Sequence, residues 1–113
     1  GTPKREFLWS HDMAKACVYL MENVDFKEVK GTDKDIKNTH LNIGTGEDIA
    51  IKDLAEMIKV TVGYRGTLDW DASKPDGTPR KLTDVSKLHK LGWKHEVGLE
   101  KGVEMMYRAY LNS

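Results

Sequence analysis

The chain has 113 residues, a length typical of one compact domain. Lys plus Arg and Asp plus Glu each number 18, so the formal net charge is zero, whereas nucleic-acid-binding proteins usually carry a basic excess. No apolar run approaches the ~18 residues of a membrane span, and no signal-peptide pattern opens the sequence. We therefore expect a soluble, cytoplasmic protein that binds neither nucleic acid nor membrane.

The first part of the chain predicts a short extended segment followed by a helix. Residues 5–8 mix apolar and polar side chains in the manner of a strand. Ser10 is a suitable N-cap, and Asp12 would interact favourably with the helix dipole in the first turn. Apolar residues at helical spacing predict a helix over residues 11–23: Met13, Ala14, Cys17, Val18 and Met21.

Cys17 is the single cysteine of the chain, so no internal disulfide can form. One cysteine is also compatible with a reducing cytoplasm. Because its neighbours Ala16 and Val18 are apolar, we expect a buried thiol that packs as a small hydrophobic side chain.

A charged segment and a strand are predicted next. Residues 25–38 are rich in Lys, Asp and Glu, which predicts a solvated, mobile loop. Residues 39–43 alternate between apolar and polar side chains, which predicts a strand with Leu41 and Ile43 facing the core.

The central region predicts a helix, a second strand and a turn. Helical spacing continues from Ile51 to Val62, and Gly63 is placed to end that helix at its C′ position. Alternation over residues 67–71 predicts a strand. Residues 74–79 contain two prolines and an Asp-Gly pair, which together indicate a turn.

Two helices are predicted in the last third of the chain. Asp84 is expected to cap a short helix that Gly92 closes, and a longer helix is predicted over residues 99–111. One face of the longer helix is apolar, formed by Leu99, Val103, Met106 and Tyr110. About four helices with a few short strands indicate an α+β fold, because a complete doubly wound sheet needs more strands.

The Gly44-Thr45-Gly46 segment invites comparison with a dinucleotide-binding loop. Such a loop needs a third glycine, or an alanine, three positions after the second glycine, and this sequence has Ile49 there. The helix that follows must also begin directly at the loop. We therefore expect these glycines to form a tight turn and to bind no cofactor.

Catalytic and metal-binding patterns are not apparent in the sequence. Short-chain dehydrogenases use a catalytic tyrosine with a lysine four positions later, and this sequence has no such pair. The residues four positions after Tyr19, Tyr64 and Tyr107 are Asn23, Leu68 and Leu111. No histidine pair has i, i+4 spacing, and His89 and His95 flank a Gly-Trp pair that suits packing or solvent exposure. We expect neither a metal site nor catalytic residues in this chain.

The remaining chemically suggestive residues are basic. Arg5 follows a Gly/Pro-led segment, and Arg80 and Lys81 follow the proline-bracketed turn. The guanidinium fork and the lysine point charge both suit phosphate oxygens. The alternative is that these are surface charges paired with nearby carboxylates.

Two long stretches resemble the C-terminal domain of GDP-L-fucose synthases, which are extended short-chain dehydrogenases/reductases. The first is Gly1-Thr2-Pro3-Lys4-Arg5-Glu6-Phe7-Leu8 with Asp12-Met13-Ala14, and the second is residues 71–82 with Asp84 and residues 88–93. Residues 42–46 are shared more widely among nucleotide-sugar enzymes. Trp9-Ser10-His11 departs from the His-Val-Asp usual in that family, which puts in doubt any role carried by the first of these positions.

The resemblance implies the functional assignment. Enzymes of that family epimerise and then reduce GDP-4-keto-6-deoxy-mannose with NADPH, using catalytic residues and an NADP site that precede this segment; Cys17 does not match their catalytic cysteine. The resemblance implies that Arg5 and Lys81 neutralise the diphosphate of the GDP-sugar and that Asp76 accepts a hydrogen bond from a sugar or base group. Arg80 is a weaker candidate.

We therefore expect residues 1–113 to be a single substrate-binding domain, an inactive fragment of an NADP-dependent enzyme that is a homodimer at full length. The absence of an initiator methionine before Gly1 agrees with a fragment. Two alternatives stay open: a non-catalytic nucleotide-sugar-binding or interaction module, and the same domain of another nucleotide-sugar epimerase or dehydratase.

Overall fold

The computed structural model describes residues 1–30, 32, 34 and 36–113. These residues form five helices and three two-residue strands, which confirms the predicted α+β class. The elements in chain order are β1 Lys4–Arg5, α1 Ser10–Asn23, α2 Phe26–Lys30, β2 Ile49–Ala50, α3 Ile51–Val62, β3 Arg80–Lys81, α4 Ser86–Lys90 and α5 Leu99–Leu111.

The small sheet has the order β2-β1-β3, so the N-terminal strand lies in its centre. β1 pairs with β2 in antiparallel and with β3 in parallel orientation. Backbone bonds on both sides extend this pairing, from Lys4 N–H to the Pro79 carbonyl at 2.8 Å and from Ile51 N–H to the Pro3 carbonyl at 3.0 Å. The first five residues therefore join the start of α3 to the segment around residue 80.

Helical periodicity predicted the long helices well. The observed bounds of α3 and α5 are those predicted, and α1 begins one residue earlier than predicted. Gly63 ends α3 in the left-handed conformation, with φ of 70°, as expected for a C′ glycine. The N-cap of α1 is Trp9 instead of Ser10, and no side chain caps that end.

Two predicted strands and one predicted loop were wrong. Residues 39–43 and 67–71 are not strands, because none of the described residues pairs with them. Part of the predicted loop 25–38 is helical, since Phe26–Lys30 forms α2, a helix that the sequence pattern did not predict. Residues 31, 33 and 35 of that predicted loop lie outside the described residues.

The main core lies between α1 and α4. Ala16, Leu88 and Trp93 are buried there, and partly buried side chains surround them: Leu8, Tyr19, Leu20 and Ile43. The Tyr19 hydroxyl donates a 2.8 Å hydrogen bond to the Leu91 carbonyl. The prediction of a buried thiol was wrong: Cys17 is exposed, because its neighbour on the helix, Ala16, faces the core.

The chain exposes more surface than a self-contained domain of its size. Its accessible area is 8512 Å², whereas a folded monomer of this mass is expected to expose about 6,300 Å². Its radius of gyration is 17.8 Å, against about 13 Å for a compact domain of this length. When this chain folds without a partner, much of its apolar surface therefore stays in contact with water.

An open apolar groove of about 610 Å³ accounts for part of this surface. It lies between α3 and α5 and is also lined by residues 7–10. The apolar face predicted for α5 lines it: Leu99, Val103, Met106 and Tyr110.

Among the described residues, no helix combines the length and the apolar character that crossing a bilayer requires.

Candidate functional site

Arg5 and Lys81 are direct neighbours in the sheet. They are register partners in the parallel pair of β1 and β3, and adjacent strands lie about 4.8 Å apart. Register partners project to the same side of a sheet, and the next pair, Lys4 and Arg80, projects to the other side. The structure therefore brings two of the three predicted site residues together.

This arrangement places like charges side by side. Among the described residues, neither Arg5 nor Lys81 forms an ion pair with a carboxylate, and the Arg5 Nη1 group donates only to the Lys4 carbonyl, at 2.7 Å. Two like charges directly opposite each other destabilise a sheet. An anion bound between them would remove this repulsion, so the pair is chemically suited to an anionic ligand.

A hollow of about 200 Å³ opens beside Arg5, here called the Arg5 hollow. Its apolar wall consists of Phe7, Ile49 and Leu99. Its polar side is formed by Arg5, Thr45, Glu47, Asp48 and His95. Lys81 does not line this hollow, and two of its polar residues, Glu47 and Asp48, are carboxylates. The hollow therefore offers one cation, two carboxylates and hydrogen-bonding groups beside an apolar surface, and a mixture of polar groups and apolar surface is typical of small-molecule sites.

Arg80 has a structural partner. Its Nε group donates to Asp48 Oδ2, and its Nη2 group donates to Oδ1 of the same residue at 3.3 Å. The Asp48 side chain is only 6% exposed, so it depends on this guanidinium for charge compensation. This bidentate contact fastens β3 to the segment before β2, which agrees with Arg80 being a weaker ligand-binding candidate than its neighbour.

Glu6 organises the backbone next to Arg5. Its Oε1 atom accepts hydrogen bonds from the N–H groups of Thr45 and Gly46, both at 2.7 Å. Its Oε2 atom accepts from the Thr83 N–H at 2.9 Å and from the Thr83 hydroxyl at 2.6 Å. Burial alone would raise the pKa of Glu6, but the hydrogen bonds from Thr83, Gly46 and Thr45 outweigh it and lower the pKa.

The glycines at positions 44 and 46 allow Glu6 to reach these donors. A Cβ atom on Gly44 would lie 2.9 Å from Glu6 Cδ and still closer to the Thr83 hydroxyl. Gly46 has φ of 77°, which favours glycine. The backbone N–H groups that a phosphate would need in this turn already bind a carboxylate, so the described residues do not fit a dinucleotide here.

Asp76, the third predicted site residue, lies in a different hollow. That hollow, of about 240 Å³, is lined by Thr2, Pro3, Asp76, Gly77 and Pro79 and shares no residue with the Arg5 hollow. The Asp76 carboxylate accepts a 3.3 Å hydrogen bond from the Thr2 hydroxyl. Its predicted contact with a sugar or base stays a prediction.

Two residues near the site were not singled out as functional. Asp12 was predicted only to favour the helix dipole, but it is buried and accepts hydrogen bonds from Glu96 N–H at 3.1 Å and Val97 N–H at 2.8 Å. It thereby fixes the segment that carries His95 against α1. His95 itself lines the Arg5 hollow. No local sequence signal marks either role, because both contacts join segments more than 80 residues apart.

The fold defines the class of protein. Five helices and a three-stranded sheet match the C-terminal portion of extended short-chain dehydrogenase/reductase enzymes. A GDP-6-OMe-4-keto-L-xylo-heptose reductase from C. jejuni is 47% identical, with a TM-score of 0.92 over 98% of this chain and 32% of that one. The GDP-mannoheptose C4 reductase MlghC from Campylobacter jejuni, solved with NADP bound, is 46% identical with a TM-score of 0.84, over the same shares.

Among named relatives, the chain matches the C-terminal region of GDP-L-fucose synthases over its whole length. It is 48% identical to GDP-L-fucose synthase of Escherichia coli (strain K12) over 113 residues, which are 100% of this chain and 35% of that protein. GDP-L-fucose synthase 1 of Arabidopsis thaliana is 45% identical, again over 100% of this chain and 32% of that protein. The chain thus spans about a third of the length of these relatives. No family model matches it.

Proposed function

We propose that this chain is the substrate-binding C-terminal part of an NADPH-dependent enzyme that modifies a GDP-linked sugar, and that Arg5 and Lys81 bind the diphosphate of that substrate. The observation that carries the proposal is their side-by-side placement without a carboxylate partner among the described residues. A diphosphate carries the charge and the oxygen atoms that such a pair requires.

The surface of the chain supports its being one part of a larger protein. Its accessible area exceeds by roughly a third the value expected for a folded monomer of its mass. Relatives that match it over its whole length are about three times longer. We infer that the remaining part of the enzyme supplies the cofactor site and covers part of this apolar surface, because the glycine turn at residues 44–46 is already occupied by Glu6.

The sugar is proposed to be 4-keto-6-deoxy-mannose, by similarity to the GDP-L-fucose synthases. A second candidate is a 4-keto-heptose, because the C. jejuni heptose reductase is equally similar to this chain, at 47% identity. An assay of NADPH oxidation by the full-length protein with each GDP-sugar separates the two. The higher kcat/KM identifies the substrate, and no oxidation with either would favour a non-catalytic module.

Charge reversal tests the roles of Arg5 and Lys81. We expect Arg5→Glu and Lys81→Glu in the full-length protein to raise the substrate KM at least about tenfold, with a smaller effect on kcat, since each removes a charge-assisted hydrogen bond to the substrate. Lys4→Glu is the matched control, because Lys4 carries the same charge on the same strand but projects to the opposite side of the sheet. Unchanged KM in both site variants would overturn the assignment.

A further inference from the structure

His95 occupies a position that the proposed diphosphate site leaves unexplained. It lies in the segment before α5 and lines the Arg5 hollow together with Arg5 itself. Its Nδ1 atom is shielded from solvent and has no hydrogen-bond partner among the described residues. Buried polar atoms without a partner are uncommon in folded proteins and call for a specific explanation.

The shielding of Nδ1 indicates which ring nitrogen is available to a ligand. A neutral imidazole carries one hydrogen, on Nδ1 or on Nε2. Hydrogen on Nδ1 would leave a buried N–H group without an acceptor, whereas hydrogen on Nε2 leaves only a lone pair in the shielded position. The Nε2–H group is then a donor available to a ligand.

The neighbouring contacts hold His95 in place for such a role. The adjacent backbone N–H groups of Glu96 and Val97 are bound to the buried Asp12, and Lys15 forms a 2.6 Å ion pair with Glu96. The loop that carries the imidazole is therefore fastened to α1. A preorganised donor loses less conformational entropy when a ligand binds.

We propose that His95 is a further ligand-binding residue of this site, donating a hydrogen bond from Nε2 to an oxygen of the diphosphate that Arg5 holds. This inference rests on the proposed function, because it takes the ligand of Arg5 to be a diphosphate. The small volume of the Arg5 hollow, about 200 Å³, suits the diphosphate group of a nucleotide-sugar and not the whole molecule.

Calorimetric titration of the full-length protein with GDP tests the proposal. We expect His95→Phe, which keeps the ring shape but removes the donor, to weaken GDP binding about tenfold. His95→Gln places an amide N–H near the position of Nε2 and is expected to restore most of that loss, whereas His95→Asn places its amide near Nδ1 and is not. His89→Phe is the matched control, because His89 is an exposed histidine that does not line the hollow.

A spectroscopic readout distinguishes ligand contact from a structural role. In protein labelled with ¹⁵N-histidine, GDP is expected to shift the Nε2 resonance of His95 and leave that of His89 unchanged. The proposal is overturned if His95→Phe binds GDP normally, or if the phenylalanine and glutamine variants lose affinity equally and the His95 resonance does not move. Either result leaves the proposed function intact provided that Arg5→Glu still weakens GDP binding. If Arg5→Glu also binds GDP normally, the proposed function fails as well.

Discussion

The Glu6 carboxylate accepts two hydrogen bonds from Thr83, which follows it by 77 positions in the sequence. The same carboxylate accepts two more from the backbone of the glycine turn at residues 44–46. One side chain thus joins three segments that are distant in sequence: the end of β1, the turn before β2 and the residues after β3. These are the segments that set Arg5 and Lys81 side by side.

Replacing Glu6 tests this role. We predict that Glu6→Gln destabilises the full-length protein by about 2–3 kcal/mol, because the amide group turns a donor towards N–H groups that need an acceptor. The melting temperature by calorimetry measures the loss. Glu22→Gln removes the same charge from an exposed position and is expected to change the melting temperature little.

The stabilisation by Glu6 should depend on pH. Its pKa is lowered in the folded chain, so the ionised form stabilises the fold at pH values above the ordinary value of 4.5 and this contribution is lost as pH falls through the lower, folded-state pKa. We predict that the difference in stability between wild type and Glu6→Gln is constant near neutrality and shrinks below about pH 4.5. Denaturant unfolding at a series of pH values measures it, and a difference that grows on acidification would contradict the assigned direction.

Gly44 should be intolerant of any side chain. A Cβ atom there would meet the Glu6 carboxylate and the Thr83 hydroxyl, so we predict that Gly44→Ala costs about 1–3 kcal/mol of stability. Gly98→Ala is the matched control, because no atom lies within 4 Å of a Cβ at that position and its φ is −67°. Equal melting temperatures for the two alanine variants would contradict the close packing of this turn.

The apolar groove between α3 and α5 is predicted to be covered in the full-length protein. Met106 lines the groove and is 58% exposed in the isolated chain. If the groove is covered, Met106→Glu buries an unpaired charge and lowers the melting temperature by several degrees. Met21→Glu makes the same change at a side chain that is 87% exposed and outside the groove, and it should be neutral. Two equally stable variants would indicate that the groove faces water.

Sequence periodicity predicted those parts of the fold that depend on local contacts. Helices α3 and α5 repeat apolar residues over three turns, and Gly63 supplies a local stop signal, so their bounds follow from the sequence. The strands predicted from alternation over residues 39–43 and 67–71 are not present, because a strand also requires a pairing partner and no local pattern specifies one. The helix Phe26–Lys30 was missed because it is short and buries no side chain.

The candidate site was predictable only through resemblance. Basic residue type suggested phosphate chemistry for Arg5 and Lys81, but their adjacency depends on the register of a parallel pair between strands 76 residues apart. The same holds for His95, whose place beside Arg5 follows from packing between distant segments. The prediction of a buried Cys17 was wrong for a related reason, because apolar neighbours in the sequence do not show which face of a helix is buried.

The most direct test of the central claim is a crystal structure of the full-length protein bound to GDP. We predict that an Arg5 guanidinium nitrogen and the Lys81 Nζ atom both lie within about 3.2 Å of diphosphate oxygens. A GDP molecule bound in a cleft that neither residue reaches would contradict the account.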